Sequence, residues 1–135
     1  MNITQAMNTL KKFMSRPQIA ALLHGFQGEE GEHFETLLLE YARRIEEMPK
    51  TYEQDGLEDP MAFLHYFMGE SDFYITEKDM SEEQLQAFGF AILNGDLQSA
   101  EMGYISIKEL IEIGMELDLH FAPKSIGAIK KEKGI

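Results

Sequence analysis

The sequence predicts an α+β fold, in which helices in the first half of the chain pack on a small, mostly antiparallel sheet that a helix interrupts. Two observations predict it: apolar residues recur at three- and four-residue spacing over residues 1–48, and the period shortens towards two from Asp72 onward. The 135 residues, of which 44% are hydrophobic, suit a single domain. We divide it into a helical part, 1–48, a sheet-containing part, 61–123, and a basic tail, 124–135.

Three helices are predicted in the helical part. The first has Thr4 as its N-cap, and the second follows Pro17 and ends at Gly25, since proline favours the first turn of a helix and glycine its end. The third spans about 29–48 and ends before Pro49. Its apolar stripe consists of Phe34, Leu37, Leu38, Tyr41, Ile45 and Met48. Its other side is predicted to be a solvent-exposed acidic face that comprises Glu32, Glu35, Glu40, Glu46 and Glu47.

The sheet-containing part begins after a polar connection, residues 49–60, with a turn predicted at Asp55-Gly56. The aromatic run 61–68 is ambiguous between a short buried helix and a strand, and Asp59-Pro60 slightly favours a helix start. Alternating apolar residues and turn signals then predict short strands and a tight turn. The strands are predicted at 73–76, 88–92 and 104–105, and the tight turn is predicted at Asn94-Gly95.

The end of the chain is predicted to contain a helix, a strand and a basic segment. Ser106 and Glu109 fit a capping box for the helix, which Gly114 ends. A strand is predicted over 116–121, and residues 125–132 form either a short basic helix or a frayed end. The two faces of that strand would carry Leu117, Leu119 and Phe121 on one side and Glu116, Asp118 and His120 on the other.

The charge of the chain restricts its partners. Twenty-four acidic and twelve basic residues give a net charge of −12, and residues 1–123 alone carry −15. Such a surface repels phosphate backbones and anionic membranes, and no apolar run approaches the ~20 residues that span a bilayer. We therefore predict a cytoplasmic protein that binds neither nucleic acid directly nor a membrane. The acidity serves either solubility or the recognition of a basic protein partner.

No catalytic constellation is evident in the sequence. The chain has no cysteine, no G-x-S-x-G elbow and no phosphate-binding glycine pattern. We therefore predict no catalytic residue, no metal and no cofactor. Glu30 and His33 have the E-x-x-H spacing of di-iron bundles, but such sites need two copies of the motif, so a structural role is the simpler interpretation.

One candidate binding site lies on the polar face of the predicted strand. Glu116, Asp118 and His120 alternate there, and carboxylates beside an imidazole are able to bind a metal or share a proton. The same alternation is typical of any half-exposed strand. Glu101 is a further candidate binding residue. His65 is interpreted as a hydrogen-bonded core residue, and it would belong to the site if the site near Glu116, Asp118 and His120 binds a ligand.

The second half of the chain resembles a known domain. The segment AEMGYISIKEL at 100–110, with ELDLHF at 116–121, DFYITE at 72–77 and AFGF at 87–90, resembles a domain of unknown function that conjugative plasmids and phages carry. The resemblance covers about residues 70–125. It implies an accessory protein of a mobile genetic element and carries no catalytic residues across.

Three functional hypotheses follow. The first is a non-enzymatic acidic binding protein of a phage, plasmid or integrated element, which covers a basic nucleic-acid-binding surface of a host defence protein. Inhibitors of that kind present carboxylates where phosphates would bind, and the analogy comes from the resemblance. The second is a small-ligand- or metal-binding domain, or an enzyme, with a site near Glu116, Asp118 and His120. The third is a homo-oligomeric structural or assembly component, and the sequence leaves the oligomeric state open.

Overall fold

The computed structural model describes residues 1–25, 28 and 31–135. Within these ranges the chain forms five helices and seven strands with the helices first, which confirms the predicted α+β class. The helices are α1 (Ile3–Leu10), α2 (Arg16–Gly25), α3 (Gly31–Glu47), α4 (Ile107–Glu112) and α5 (Ile126–Lys133). The strands are β1 (Met61–Ala62), β2 (Leu64–Met68), β3 (Ser71–Glu77), β4 (Ala87–Ile92), β5 (Glu101–Ile105), β6 (Glu116–Leu117) and β7 (Lys124–Ser125).

The strands form two antiparallel sheets. A five-stranded sheet has the order β5-β4-β3-β2-β6, and β1 pairs with β7 in a two-stranded sheet. The register between β3 and β4 shifts between Ile75 and Glu77, as at a β-bulge. β4 and β5 then pair with Gly89 opposite Gly103.

The five-stranded sheet has a hydrophobic core on each face, because successive side chains along a strand point to opposite faces. One core lies between the sheet and helices α1, α3 and α4. Its fully buried members include Leu10, Leu38, Tyr66, Ile75 and Ile107. The other core lies between the sheet and α5. It contains Tyr74, Phe90, Ile92, Phe121, Ile126 and Ile129.

The three predicted N-terminal helices are present, but the N-cap predicted for the first is wrong. Asn2, not Thr4, caps α1: its side chain accepts the Gln5 backbone N–H and the Gln5 side chain accepts the Asn2 N–H, both at 2.9 Å. The predicted start of the third helix at Glu29 lies outside the described residues, as does Glu30 of the E-x-x-H pair. None of the helices in the described ranges is long and apolar enough to cross a bilayer.

The ambiguous run 61–68 is extended, as β1 and β2. It forms a strand because alternate side chains, Leu64 and Tyr66, are fully buried in one core. The predicted tight turn is confirmed, since Asn94 and Gly95 both have positive φ, +52° and +71°.

The two C-terminal helices begin at capping serines. Ser106 Oγ accepts the Glu109 N–H at 3.2 Å, so Ser106 caps α4 as predicted, but between these two described residues the reciprocal bond of a capping box is not formed. Ser125 Oγ accepts the Ala128 N–H at 3.1 Å at the start of α5. Of the two structures considered for the end of the chain, the basic tail therefore adopts the helix, which packs on the sheet.

The strand predicted over 116–121 is confirmed only at its first two residues and is wrong for the rest. Glu116 and Leu117 form β6, and the chain then turns. The Tyr41 hydroxyl lies 2.8 Å from the carbonyl oxygen of Asp118 and 2.7 Å from that of Phe121, so α3 satisfies carbonyls that a strand partner would otherwise bind. Leu119 and Phe121 consequently enter different cores, although the alternation predicted one shared face.

Candidate functional site

His65, on β2, lies between two aspartate side chains and contacts both of them. In His65, Nε2 lies 2.7 Å from Asp72 Oδ1 and Nδ1 lies 3.0 Å from Asp118 Oδ2. The side chains of His65, Asp72 and Asp118 are only 13%, 18% and 26% exposed. Because both ring nitrogens face carboxylate oxygens, the ring donates to both only in its protonated form. We call these three residues the Asp-His-Asp cluster.

Strand register assembles the Asp-His-Asp cluster. His65 is paired with Tyr74 across the β2–β3 hairpin, and Asp72 lies on the same face two residues away. The two rings stack, with centroids 4.5 Å apart and planes 8° apart. Asp118 is brought in by its backbone N–H, which donates to the His65 carbonyl at 2.8 Å. Lys133 of α5 completes the arrangement, with Nζ 3.7 Å from Asp72 Oδ2.

This geometry favours a structural role, in which the cluster connects neighbouring elements of the fold, over acid–base or metal chemistry. A general base or a metal ligand needs a nitrogen lone pair that faces the substrate or the ion, and both nitrogens of His65 face carboxylates. In the part of the chain that the structure describes, no group of three or more His, Asp or Glu side chains converges so that it could hold a metal ion. The cluster instead connects β2, β3, the turn after β6 and α5.

The tyrosine beneath this cluster gives a pH-dependent prediction. Burial of Tyr74, followed by the nearby carboxylates of Asp72, Glu132 and Asp118, raises the pKa of its hydroxyl from 10.0 to about 12. The unfolded chain therefore loses this proton first, so the free energy of unfolding should fall as pH rises from about 10 to about 12. In a spectrophotometric tyrosinate titration, wild type minus Tyr74→Phe should show a transition near the upper value while circular dichroism reports a folded chain. A difference transition near pH 10 would contradict the prediction.

The structure separates the predicted binding residues. Glu116 and His120 are exposed, whereas Asp118 binds His65 with one oxygen and the His120 backbone N–H, at 2.9 Å, with the other. Glu101 lies on β5, at the opposite edge of the five-stranded sheet from Glu116, four strand spacings or about 19 Å away. A turn after Leu117 replaces the strand that would have aligned Glu116, Asp118 and His120 on one face.

The predicted acidic face of α3 is exposed throughout. Its members are Glu32, Glu35, Glu40, Glu46 and Glu47. Glu40 pairs with Arg44 at 3.5 Å, and Glu46 accepts the Thr9 hydroxyl at 3.0 Å. The face thus presents several carboxylates to solvent along 17 residues of helix.

A groove that the sequence did not indicate lies between the 50–60 connection and β5, with a volume of about 390 Å³. Tyr52 and Tyr104 line it; they are 59% and 57% exposed, and their hydroxyl oxygens are 2.7 Å apart. Phe88 and Met102 add apolar surface, and the Phe88 ring packs edge-on to Tyr104 with centroids 5.4 Å apart. We call this feature the tyrosine groove.

A buried glutamate holds one side of the tyrosine groove in place. Glu77 is 5% exposed, and its two carboxylate oxygens accept the backbone N–H groups of Tyr52 and Gln54, each at 2.8 Å. These charge-assisted bonds hold Tyr52 at a φ of +77°, which is uncommon for a residue with a side chain. The hydrogen bond between the two hydroxyls is the main cause of a raised pKa at Tyr104. The aromatic side of the groove is therefore positioned before any ligand binds.

The tyrosine groove is also acidic. Asp55, Glu58 and Glu77 line it, and no lysine or arginine does so among the residues that the structure describes. The sequence predicts residues 49–60 only as a polar connection. The feature that could have indicated a groove is the combination of tyrosine, leucine and four carboxylates in TYEQDGLED.

The comparisons with known proteins define no family for this chain. No protein-family model, curated protein or solved structure matches it. The fold and the site define it by class, as an acidic α+β protein with an exposed helical acidic face and an acidic, aromatic groove at the edge of its sheet.

Proposed function

We propose that this chain is a non-enzymatic binding protein that covers a basic surface of another protein. The observation that carries the proposal is the charge distribution: residues 1–123 contain twenty-three acidic and eight basic residues. Few of these charges are neutralised internally. Among the described residues of 1–123, the acidic side chains within 4.0 Å of a lysine or arginine are Glu40, Asp72 and Glu82.

An excess of exposed carboxylates suits a partner that otherwise binds nucleic acid. Carboxylate and phosphate oxygens accept the same charge-assisted hydrogen bonds from lysine and arginine, so one is able to take the place of the other. The summed field also attracts a basic surface from a distance and speeds association. The resemblance to a mobile-element domain narrows the proposed partner to a nucleic-acid-binding protein of a host defence system.

Salt dependence tests this proposal directly. We expect the affinity of the labelled chain for a basic nucleic-acid-binding domain to fall at least about tenfold between about 50 and about 300 mM NaCl, because salt screens exposed charges. Fluorescence anisotropy against a panel of basic domains, with neutral domains of similar size as controls, would measure it.

A competition assay sharpens the test. Unlabelled chain should displace labelled duplex DNA from the same basic domain, because a covered surface has no room for the duplex. Affinity that does not change with salt, or binding that leaves the DNA in place, would contradict the proposal.

The other two hypotheses receive less support. A ligand or metal site near Glu116, Asp118 and His120 would have to use Asp118, whose carboxylate already binds the His65 ring and the His120 backbone N–H. A homo-oligomer would bring together surfaces of a chain whose net charge is −12, and like charges oppose that association.

A further inference from the structure

We propose that the tyrosine groove binds a cationic side chain, of lysine or arginine, from an extended basic segment of the partner. This inference rests on the proposed function and names the contact through which the chain recognises a basic surface. It is carried by the aromatic surface of the groove, by its charge and by its place at the edge of the sheet.

The aromatic surface suits a cation. A tyrosine face attracts an ammonium or guanidinium group within about 6 Å of the ring centroid. Elsewhere in the fold the chain's own cations occupy such positions: the Arg44 guanidinium lies 4.1 Å from the Tyr41 centroid. Among the described residues, no cation of this chain lies over Tyr52 or Tyr104 in this way. The two exposed rings therefore remain available to a cation from outside.

The charge of the groove points to the same ligand. The exposed carboxylates of Asp55 and Glu58 are available to an incoming cation, whereas Glu77 already binds two backbone N–H groups. A volume of about 390 Å³ is ample for one long side chain.

Two other grooves differ in this respect. The groove along α3, of about 600 Å³, is lined by Arg43 and Arg44 but also by Glu40 and Glu47. In the groove beside α1, of about 370 Å³, three lysines likewise face three acidic residues. The opposite charges balance in both grooves, whereas the tyrosine groove is lined by acidic residues without a lysine or arginine among the described residues, which favours it as the site for a cation.

The position of Tyr104 explains why the ligand is a polypeptide rather than a free amine. Tyr104 lies on β5, which is an edge strand of the five-stranded sheet. In the described chain no strand pairs with the outer side of β5, so its outward N–H and C=O groups are able to pair with an added strand. A segment bound there would deliver an alternate side chain into the groove next to Tyr104.

Nona-arginine, nona-lysine and nona-citrulline peptides are suitable probes, since citrulline has the shape of arginine without its charge. We expect the full chain to bind the two cationic peptides at low salt and the citrulline peptide at least about tenfold more weakly. Tyr104→Thr, which removes the ring and puts a residue of high strand propensity in its place, should weaken cationic binding at least about fivefold. Its matched control is Ile113→Thr, at a residue that is 62% exposed outside the groove.

A second pair of variants separates the groove from general acidity. Asp55→Asn with Glu58→Gln should weaken binding about tenfold, whereas Asp96→Asn with Glu83→Gln, exposed residues that do not line the groove, should change it less than about twofold. Circular dichroism and thermal melts would verify that all variants fold.

The outcomes distinguish this inference from the function on which it rests. Equal losses in the two charge-neutralised variants, or unchanged binding by Tyr104→Thr, would overturn the groove while salt-dependent binding by the whole chain stands. Equal affinity of the wild-type chain for the arginine and citrulline peptides would overturn both proposals.

Discussion

Replacing Gly89 with alanine is expected to lower the free energy of unfolding by about 4 kcal/mol or more, which places it among the most damaging single substitutions. A Cβ at this position would overlap the carbonyl oxygen of Tyr74 and lie 2.9 Å from its carbonyl carbon and 3.0 Å from Ile75 Cα. All three are backbone atoms of the neighbouring strand, so no side chain is able to move aside. Relief requires β3 and β4 to separate, close to the bulge between Ile75 and Glu77.

Gly103 provides a matched control, because it is paired with Gly89 across β4 and β5. A Cβ there has no neighbour within 4 Å. Gly103→Ala should therefore leave stability unchanged or raise it by up to about 1 kcal/mol, since alanine restricts the unfolded chain. Urea denaturation followed by circular dichroism measures both variants. A Gly89→Ala variant within about 1 kcal/mol of the wild type would show that the two strands tolerate a wider spacing.

The second large effect is expected at the centre of the Asp-His-Asp cluster. His65→Leu should lower the free energy of unfolding by about 3 kcal/mol, because it removes the ring nitrogens that hydrogen-bond the mostly buried carboxylates of Asp72 and Asp118. Two polar groups that each lose a hydrogen-bond partner account for a loss of this size. His120→Leu is the matched control; the His120 side chain is exposed, and the change should be within about 0.5 kcal/mol.

A triple variant tests the cause of that loss. Adding Asp72→Asn and Asp118→Asn to His65→Leu replaces the two carboxylates that have lost their His65 partner by neutral amides, so the triple variant should be more stable than His65→Leu alone. The Asp118 side chain would still offer an oxygen to the His120 N–H. If the changes in the free energy of unfolding of the three single variants simply add in the triple variant, the three side chains do not act together and the structural role proposed for the cluster is wrong.

Predictions from the sequence were mostly reliable where the determining contacts are local; the exception is the N-cap of α1, which is Asn2 and not Thr4. The apolar stripe of α3 recurs every three or four residues, so burial of that stripe follows from helix geometry alone. Ser106 bonds a backbone group three residues away, and Asn94-Gly95 adopts its turn through its own φ angles. The exposed acidic face of α3 follows in the same way, as the complement of the stripe.

Predictions failed where a distant partner intervenes. The alternation over 117–121 is typical of a strand, but the Tyr41 hydroxyl and the Arg44 guanidinium both bind the Phe121 carbonyl oxygen. That carbonyl belongs to a residue 80 positions after Tyr41. A local pattern contains no information on such a contact, and the predicted alignment of Glu116, Asp118 and His120 was lost with the strand.

The sequence by itself determined the class of fold, the helices with their exposed acidic face, and the strong negative charge on which the proposed function depends. These follow from composition and from periods of two to four residues. Only the tertiary structure decided that Asp118 meets the His65 ring, and that Tyr52 meets Tyr104, contacts that join residues 53 and 52 positions apart. The physical reason is that strand register and the packing of α3 and α5 set these distances, and both depend on the whole chain at once.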